Sequence, residues 1–135
     1  MTKKIYVNLP VKDLEKSKEF FRKLGFSFEP RFTDNNAACL ILGENIFSML
    51  IKESFFQTFT KKEISDATRM TEVLITIDVD SKEAVDKLVQ KAVEAGGTQY
   101  LNALDFDWGY MSVFEDLDGH QWEVGYTDES KLPKK

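Results

Sequence analysis

The stretch VKDLEKSKEFFRKLGF at residues 11–26 decides the fold, because VDSKEAVDKLVQKAVEAGG at residues 79–97 repeats its plan. In the first, Asp13 is placed to accept the orphan N–H groups of a helix start. Leu14, Phe20, Phe21 and Leu24 fall on one side of a helix over 14–24, with Lys16, Lys18, Glu19, Arg22 and Lys23 largely outward. Gly25 is suited to the left-handed residue that ends a helix. In the second, Ser81 or Asp80 takes the capping place. Val85, Leu88, Val89, Ala92 and Val93 follow i, i+3, i+4, i+7, i+8, and Gly96-Gly97 stops the run. Val11 and Val79, which lead into the two helices, are 68 residues apart in a chain of 135.

Working outward, KIYVNLPV (4–11) alternates as a half-buried strand. FSFEPRFT (26–33) is also strand-like. AACLIL and IFSMLI, separated by Gly43-Glu44-Asn45, read as a hairpin. Residues 53–70 lose any clean period and are expected to form a linker with a short helix. EVLITIDV (72–79) restarts the pattern; TQYLNAL (98–104) is a possible strand and LDFDWG a loop. YMSVFED and QWEVGY then flank the turn Leu117-Asp118-Gly119-His120, and the tail DESKLPKK is expected to fray. Each half thus reads βαβββ. An internal repeat outranks any single motif in fixing architecture.

Composition narrows the function classes. With 42% hydrophobic and 30% charged residues, the chain is an ordinary globular domain. Its net charge of −5 disfavours a nucleic-acid binder, which needs clustered positive charge. No apolar run reaches the ~20 residues of a membrane helix, and MTKKIYVNLPV has no signal-peptide core. A cytoplasmic location is the default. The single cysteine, Cys39 in ACLIL, is expected to be a small buried side chain.

Three motifs in this order, NLPVKDLEKSKEFFRKLGF, VDSKEAVDKLVQKAVEAGG and FEDLDGHQWEV, resemble the vicinal oxygen chelate superfamily, which includes glyoxalase I, bleomycin-resistance proteins and extradiol dioxygenases. The resemblance covers essentially the whole chain. It implies an α+β fold in which two tandem βαβββ modules (1–52 and 71–128, with 53–70 between) form a half-open antiparallel barrel with helices outside. It also implies a ligand cup between the modules and a homodimer.

In metal-dependent members, a His lies five residues before the Val that enters the helix, and a Glu lies four residues after the turn Gly. Carried over, these positions are Tyr6, Leu74 and Glu123, with Ser48 or Met49 in the first module's last strand. Leucine binds no metal, phenol replaces imidazole poorly, and a lone carboxylate is not a metal site. No metal or other cofactor is therefore expected, a divalent ion being the minority reading. Tyr6, Asn8 and Glu123 are expected to form a polar ligand-binding cluster, Asn8 sharing a strand face with Tyr6. Glu123 has three readings: a buried acid or base, a hydrogen-bond partner for Tyr6, or an exposed carboxylate. Trp108, Phe55, Phe56 and Phe59 sit in irregular segments. They either line or cover a pocket, form a contact between copies, or anchor loops. His120, the only histidine, reads as a turn residue.

Three functions compete. The leading one is metal-free binding of a small organic molecule in the manner of bleomycin-resistance proteins, with a cationic or neutral ligand suiting the acidic chain. The second is a metal-dependent lyase, isomerase or dioxygenase-like enzyme. The third is a dimeric interaction module with no small-molecule role.

Overall fold

The computed structural model describes residues 1–133. The chain divides into two compact units, Met1–Asp66 and a second beginning at Ala67. In the first, β1 (Ile5–Val11) leads to α1 (Leu14–Lys23), then to β2 (Ser27–Glu29), β3 (Ala37–Gly43) and β4 (Ile46–Lys52), followed by the short helix α2 (Glu53–Phe56). In the second, β5 (Ile75–Asp78) leads to α3 (Lys82–Glu94), β6 (Leu104–Phe106), β7 (Gly109–Glu115) and β8 (Gln121–Thr127). The sheets have the orders β1-β4-β3-β2 and β5-β8-β7-β6. The α+β class and the tandem βαβββ order therefore hold. Among the described residues, no helix is long and apolar enough to cross a membrane.

The all-antiparallel expectation needs one correction, because β1 pairs with β4 and β5 with β8 in parallel. The reason is the helix between the first two strands of each unit. It crosses over the sheet and returns the chain to run in the original direction. Two hairpin reversals then leave the fourth strand parallel to the first, beside which it lies.

Both helices begin and end by the same local chemistry. Asp13 Oδ1 accepts from Lys16 N at 3.1 Å and Ser81 Oγ accepts from Ala84 N at 3.0 Å. At the other end, Gly25 adopts φ 103° while its N–H reaches Arg22 O and the Phe26 N–H reaches Phe21 O. Gly96 and Gly97 repeat these two bonds onto Val93 and Ala92. The paired bonds satisfy carbonyls that the last helical turn leaves open. The helices have 10 and 13 residues, so the second is about one turn longer.

One face of each sheet is covered by its helix. Leu14, Phe20, Phe21 and Leu24 bury themselves with Leu9, Val11, Ala38, Leu40 and Leu50 in the first unit. In the second, Val85, Val89 and Ala92 cover Phe114, Trp122 and Val124, and the Phe114 and Trp122 rings lie parallel with centroids 6.0 Å apart. Asp116 is buried beneath the β7–β8 turn. Its carboxylate accepts from the Trp122 indole N–H and from the backbone N–H groups of Asp118 and His120, each at 3.0 Å. Burial pushes the Asp116 carboxyl above the usual carboxylate range, and the nearby His120 and the indole N–H pull it partly back.

Some boundaries differ from expectation, each for a local reason. Strand β2 stops at Glu29 because Pro30 has no N–H for the ladder. The Glu29 carboxylate instead accepts from Arg31 N, opening a 3-10 turn over Pro30–Phe32. Strand β5 starts only at Ile75, where pairing with Trp122 begins. Residues 98–104 make one bridge, Thr98 to Glu115, whereas Leu104–Phe106 is the true strand. Its charged Asp105 looked loop-like, yet it points to the helix side and accepts from Lys82 Nζ at 2.9 Å. In the tail, Asp128 caps a 3-10 turn over Glu129–Lys131, and residues 134–135 lie outside the described residues.

Candidate functional site

The sheet faces turned away from the helices carry the candidate residues. In β1, Val7, Leu9 and Val11 point toward α1, so Tyr6, Asn8 and Pro10 point the other way. The parallel register places Tyr6 against Phe47 and Asn8 against Met49. Ala37, Cys39 and Ile41 continue the same face from β3, pairing with Ile51, Met49 and Phe47.

This face forms the floor of a cavity of about 410 Å³, lined by Asn8, Ala37, Met49, Ile51, Phe55, Phe56, Phe59 and Thr60. Its other wall is α2 and the 3-10 turn after it, Gln57–Phe59. The irregular aromatic segment thus lines a cavity, as one of its sequence readings had it. Two features hold it there. The Phe55 and Phe59 rings meet edge to face at 5.1 Å, and Gln57 Nε2 donates to the carbonyls of Thr60 and Lys62. No charged side chain lines the cavity. The Asn8 amide makes no hydrogen bond within the described residues. Tyr6 lies two residues along on the same face and stacks on Phe47, with centroids 5.0 Å apart.

Glu123 and Trp108 belong to the second unit. Glu123 pairs with Thr76 in the β5–β8 ladder, and its Oε1 accepts the Thr76 hydroxyl hydrogen at 2.7 Å. The hydrogen bond considered toward Tyr6 goes instead to this neighbour in its own sheet. Tyr100, which the sequence pattern did not single out, is close by. Burial pushes its phenol above the usual value, and the charges of Glu123 and Glu115 add to that. Trp108 sits in the two-residue turn between β6 and β7, 41% exposed and stacked on Phe106 with centroids 4.9 Å apart.

Register also settles which residue of the first module matches Glu123. Asn8 pairs with Met49, and Thr76, 68 residues after Asn8, pairs with Glu123. Met49 is therefore the counterpart. Ser48 is buried on the helix side, donating to Val7 O at 2.9 Å. The positions where the resemblance puts metal ligands thus carry a phenol, a thioether, an aliphatic chain and one carboxylate already engaged by Thr76. Among the described residues, no group of three or more His, Cys, Asp and Glu side chains is arranged to hold a metal ion. This donor set does not fit a divalent centre. Cys39 is fully buried, and burial raises its thiol pKa, which keeps it protonated and unreactive.

Ile51 and Ala37 are site residues that sequence reasoning missed, and Met49 was named only beside Ser48, as a metal-ligand position rather than a cavity wall. The strand alternation that placed Asn8 on its face would have found them once the β1–β4 and β3–β4 registers were known.

Comparison with known proteins agrees with this architecture. A family model described as bleomycin resistance protein-like N-terminal matches residues 3–43. A hypothetical protein from S. aureus is 33% identical, with 93% of this chain and 95% of that one aligned at a TM-score of 0.79. A glyoxalase/bleomycin resistance protein/dioxygenase family enzyme from Burkholderia phytofirmans is 24% identical, with 90% and 96% covered at a TM-score of 0.75. A glyoxalase-related enzyme from Fulvimarina pelagi shares the fold at 20% identity, with 94% and 89% covered and a TM-score of 0.79. No curated protein matches the sequence.

Proposed function

We propose that this chain, which resembles the vicinal oxygen chelate superfamily in sequence and shares the fold of glyoxalase/bleomycin resistance/dioxygenase structures, binds a small organic molecule in the first-module cavity without a divalent metal. The observation that carries this reading is the cavity itself. Its volume of about 410 Å³ suits a small ligand, and three phenylalanines, Met49 and Ile51 supply apolar walls around the single amide of Asn8. Apolar walls provide the driving force, and a lone amide orients the guest. The engaged Glu123 and the absent histidines support the metal-free part of the reading. The homodimer and the cytoplasmic location belong to the same proposal and rest on the resemblance and on composition.

A thermal-shift screen of small metabolites and of nickel, zinc and manganese salts tests it. A ligand present at 100 times its Kd stabilises the protein by about 2.7 kcal/mol, so a binder gives a clear rise in Tm. The proposal expects organic hits that Phe56→Ala abolishes and no rise with the metals. A metal-dependent rise that Glu123→Gln removes would overturn it in favour of metal-dependent chemistry.

A further inference from the structure

We infer that the occupant of this cavity is an uncharged, flat aromatic compound whose one hydrogen-bonding group is held by Asn8. The inference rests on the proposal that the cavity is a ligand site, and it names the class of ligand.

Charge comes first. None of the eight lining residues is ionisable in the ordinary range, and the chain's surplus of acidic groups lies elsewhere. The site opens to solvent beside Asn8 and Phe59, so an ionic guest against its apolar walls would shed part of its hydration and meet no counter-charge. A neutral guest avoids that cost. Shape comes second. The edge-to-face Phe55–Phe59 pair leaves ring surface available, and Phe56 adds another ring. Rings of this kind favour stacked or edge-on aromatic partners. The Met49 thioether on the floor also makes favourable contacts with aromatic rings.

Polarity comes third. Asn8 offers one carbonyl and one NH₂, neither bonded within the described residues, so it both accepts and donates. Thr60 is the other polar liner, but its Oγ already accepts from Lys62 N. Asn8 is exposed, so water satisfies its amide in the empty site; a guest that covers the amide must replace those bonds, which a hydroxyl or carbonyl does and a plain hydrocarbon does not. The cavity volume lies toward the small end of ligand sites, which suits one or two fused rings.

The test uses four naphthalene probes of nearly equal shape: naphthol, naphthalene, naphthoate and naphthylmethylammonium. Each is titrated into the full chain labelled at its methionine methyl groups, with Met49 assigned by Met49→Leu. Binding in the cavity moves the Met49 signal through ring currents. Naphthol is expected to bind tightest, with the two charged probes at least tenfold weaker. Asn8→Leu is expected to lower naphthol to the level of naphthalene and to leave naphthalene unchanged. Phe59→Ala removes a cavity ring and its contact with Phe55 and is expected to weaken every probe, while the remaining methionine signals show that the chain stays folded. If all four probes move Met49 with equal affinity, or a charged probe binds tightest, the ligand class is wrong while the site stands. If none moves Met49, or binding ignores both the Asn8 and Phe59 substitutions, the site reading fails and the inference fails with it.

Discussion

The Thr76 hydroxyl donates to Glu123 Oε1 at 2.7 Å, across a parallel strand pair in which the two residues are direct partners. The carboxylate at the position where the resemblance puts a metal ligand is thus used within its own sheet. The pair faces solvent, so its contribution is modest. A double-mutant cycle with Thr76→Val and Glu123→Leu, which leaves no acceptor, is expected to give a coupling of about 0.5–1 kcal/mol by denaturant unfolding. Strict additivity would show that the bond contributes nothing.

The two helix caps make equivalent predictions. Asp13→Ala and Ser81→Ala each remove the side-chain acceptor of a first-turn N–H. Each is expected to cost about 1 kcal/mol. Asp13→Asn and Ser81→Thr are expected to restore most of the loss, since both keep an oxygen acceptor. Chemical denaturation of the four variants checks this.

Gly119 has φ +88°, and a Cβ there would meet Ala67 O and Thr68 Cα at 2.8 Å. Gly25 has φ +103° with nothing within 4 Å of a Cβ. Both alanine variants incur the left-handed penalty of roughly 1–2 kcal/mol, and only Gly119→Ala adds a backbone clash. Gly119→Ala is therefore expected to cost about 1–3 kcal/mol more than Gly25→Ala, read as a larger drop in Tm. Equal drops would mean that residues 67–68 yield freely.

Tyr110 Oη donates to Asp86 Oδ1 on α3 at 2.6 Å, and this bond lifts the phenol from 10.0 to about 12. The folded state therefore holds this proton more tightly than the unfolded chain does. The associated stability is fully present below pH 10 and is lost as pH rises from 10 toward about 12. The tyrosinate absorbance of the wild type minus that of Tyr110→Phe is expected to titrate at about 12. Asp86→Asn is expected to bring that midpoint back down. A difference curve centred at 10 would refute the assignment.

The helices were legible because their signals are local. Apolar spacing, a capping oxygen and a terminal glycine lie within one short stretch, and the structure reproduces both ends of both helices. The β6 strand was not legible, because Asp105 is stabilised by Lys82, 23 residues away. Asn8 and the aromatic segment could be nominated from alternation and from the lack of it. The joining of Asn8 with Met49 and Phe56 around one cavity depends on pairings 41 residues apart and on the path taken after β4.

The sequence by itself determined the repeated βαβββ order, the helix limits and the presence of Tyr6 and Leu74 where the resemblance would put histidines, since these depend on periodicity and side-chain identity alone. Only the tertiary structure decided that one strand pair in each sheet is parallel, that Met49 rather than Ser48 is the counterpart of Glu123, and that the cavity walls carry no charge. Strand register shifts a side chain from one face to the other with a single-residue slip. No local pattern encodes it, and only the assembled ladder fixes it.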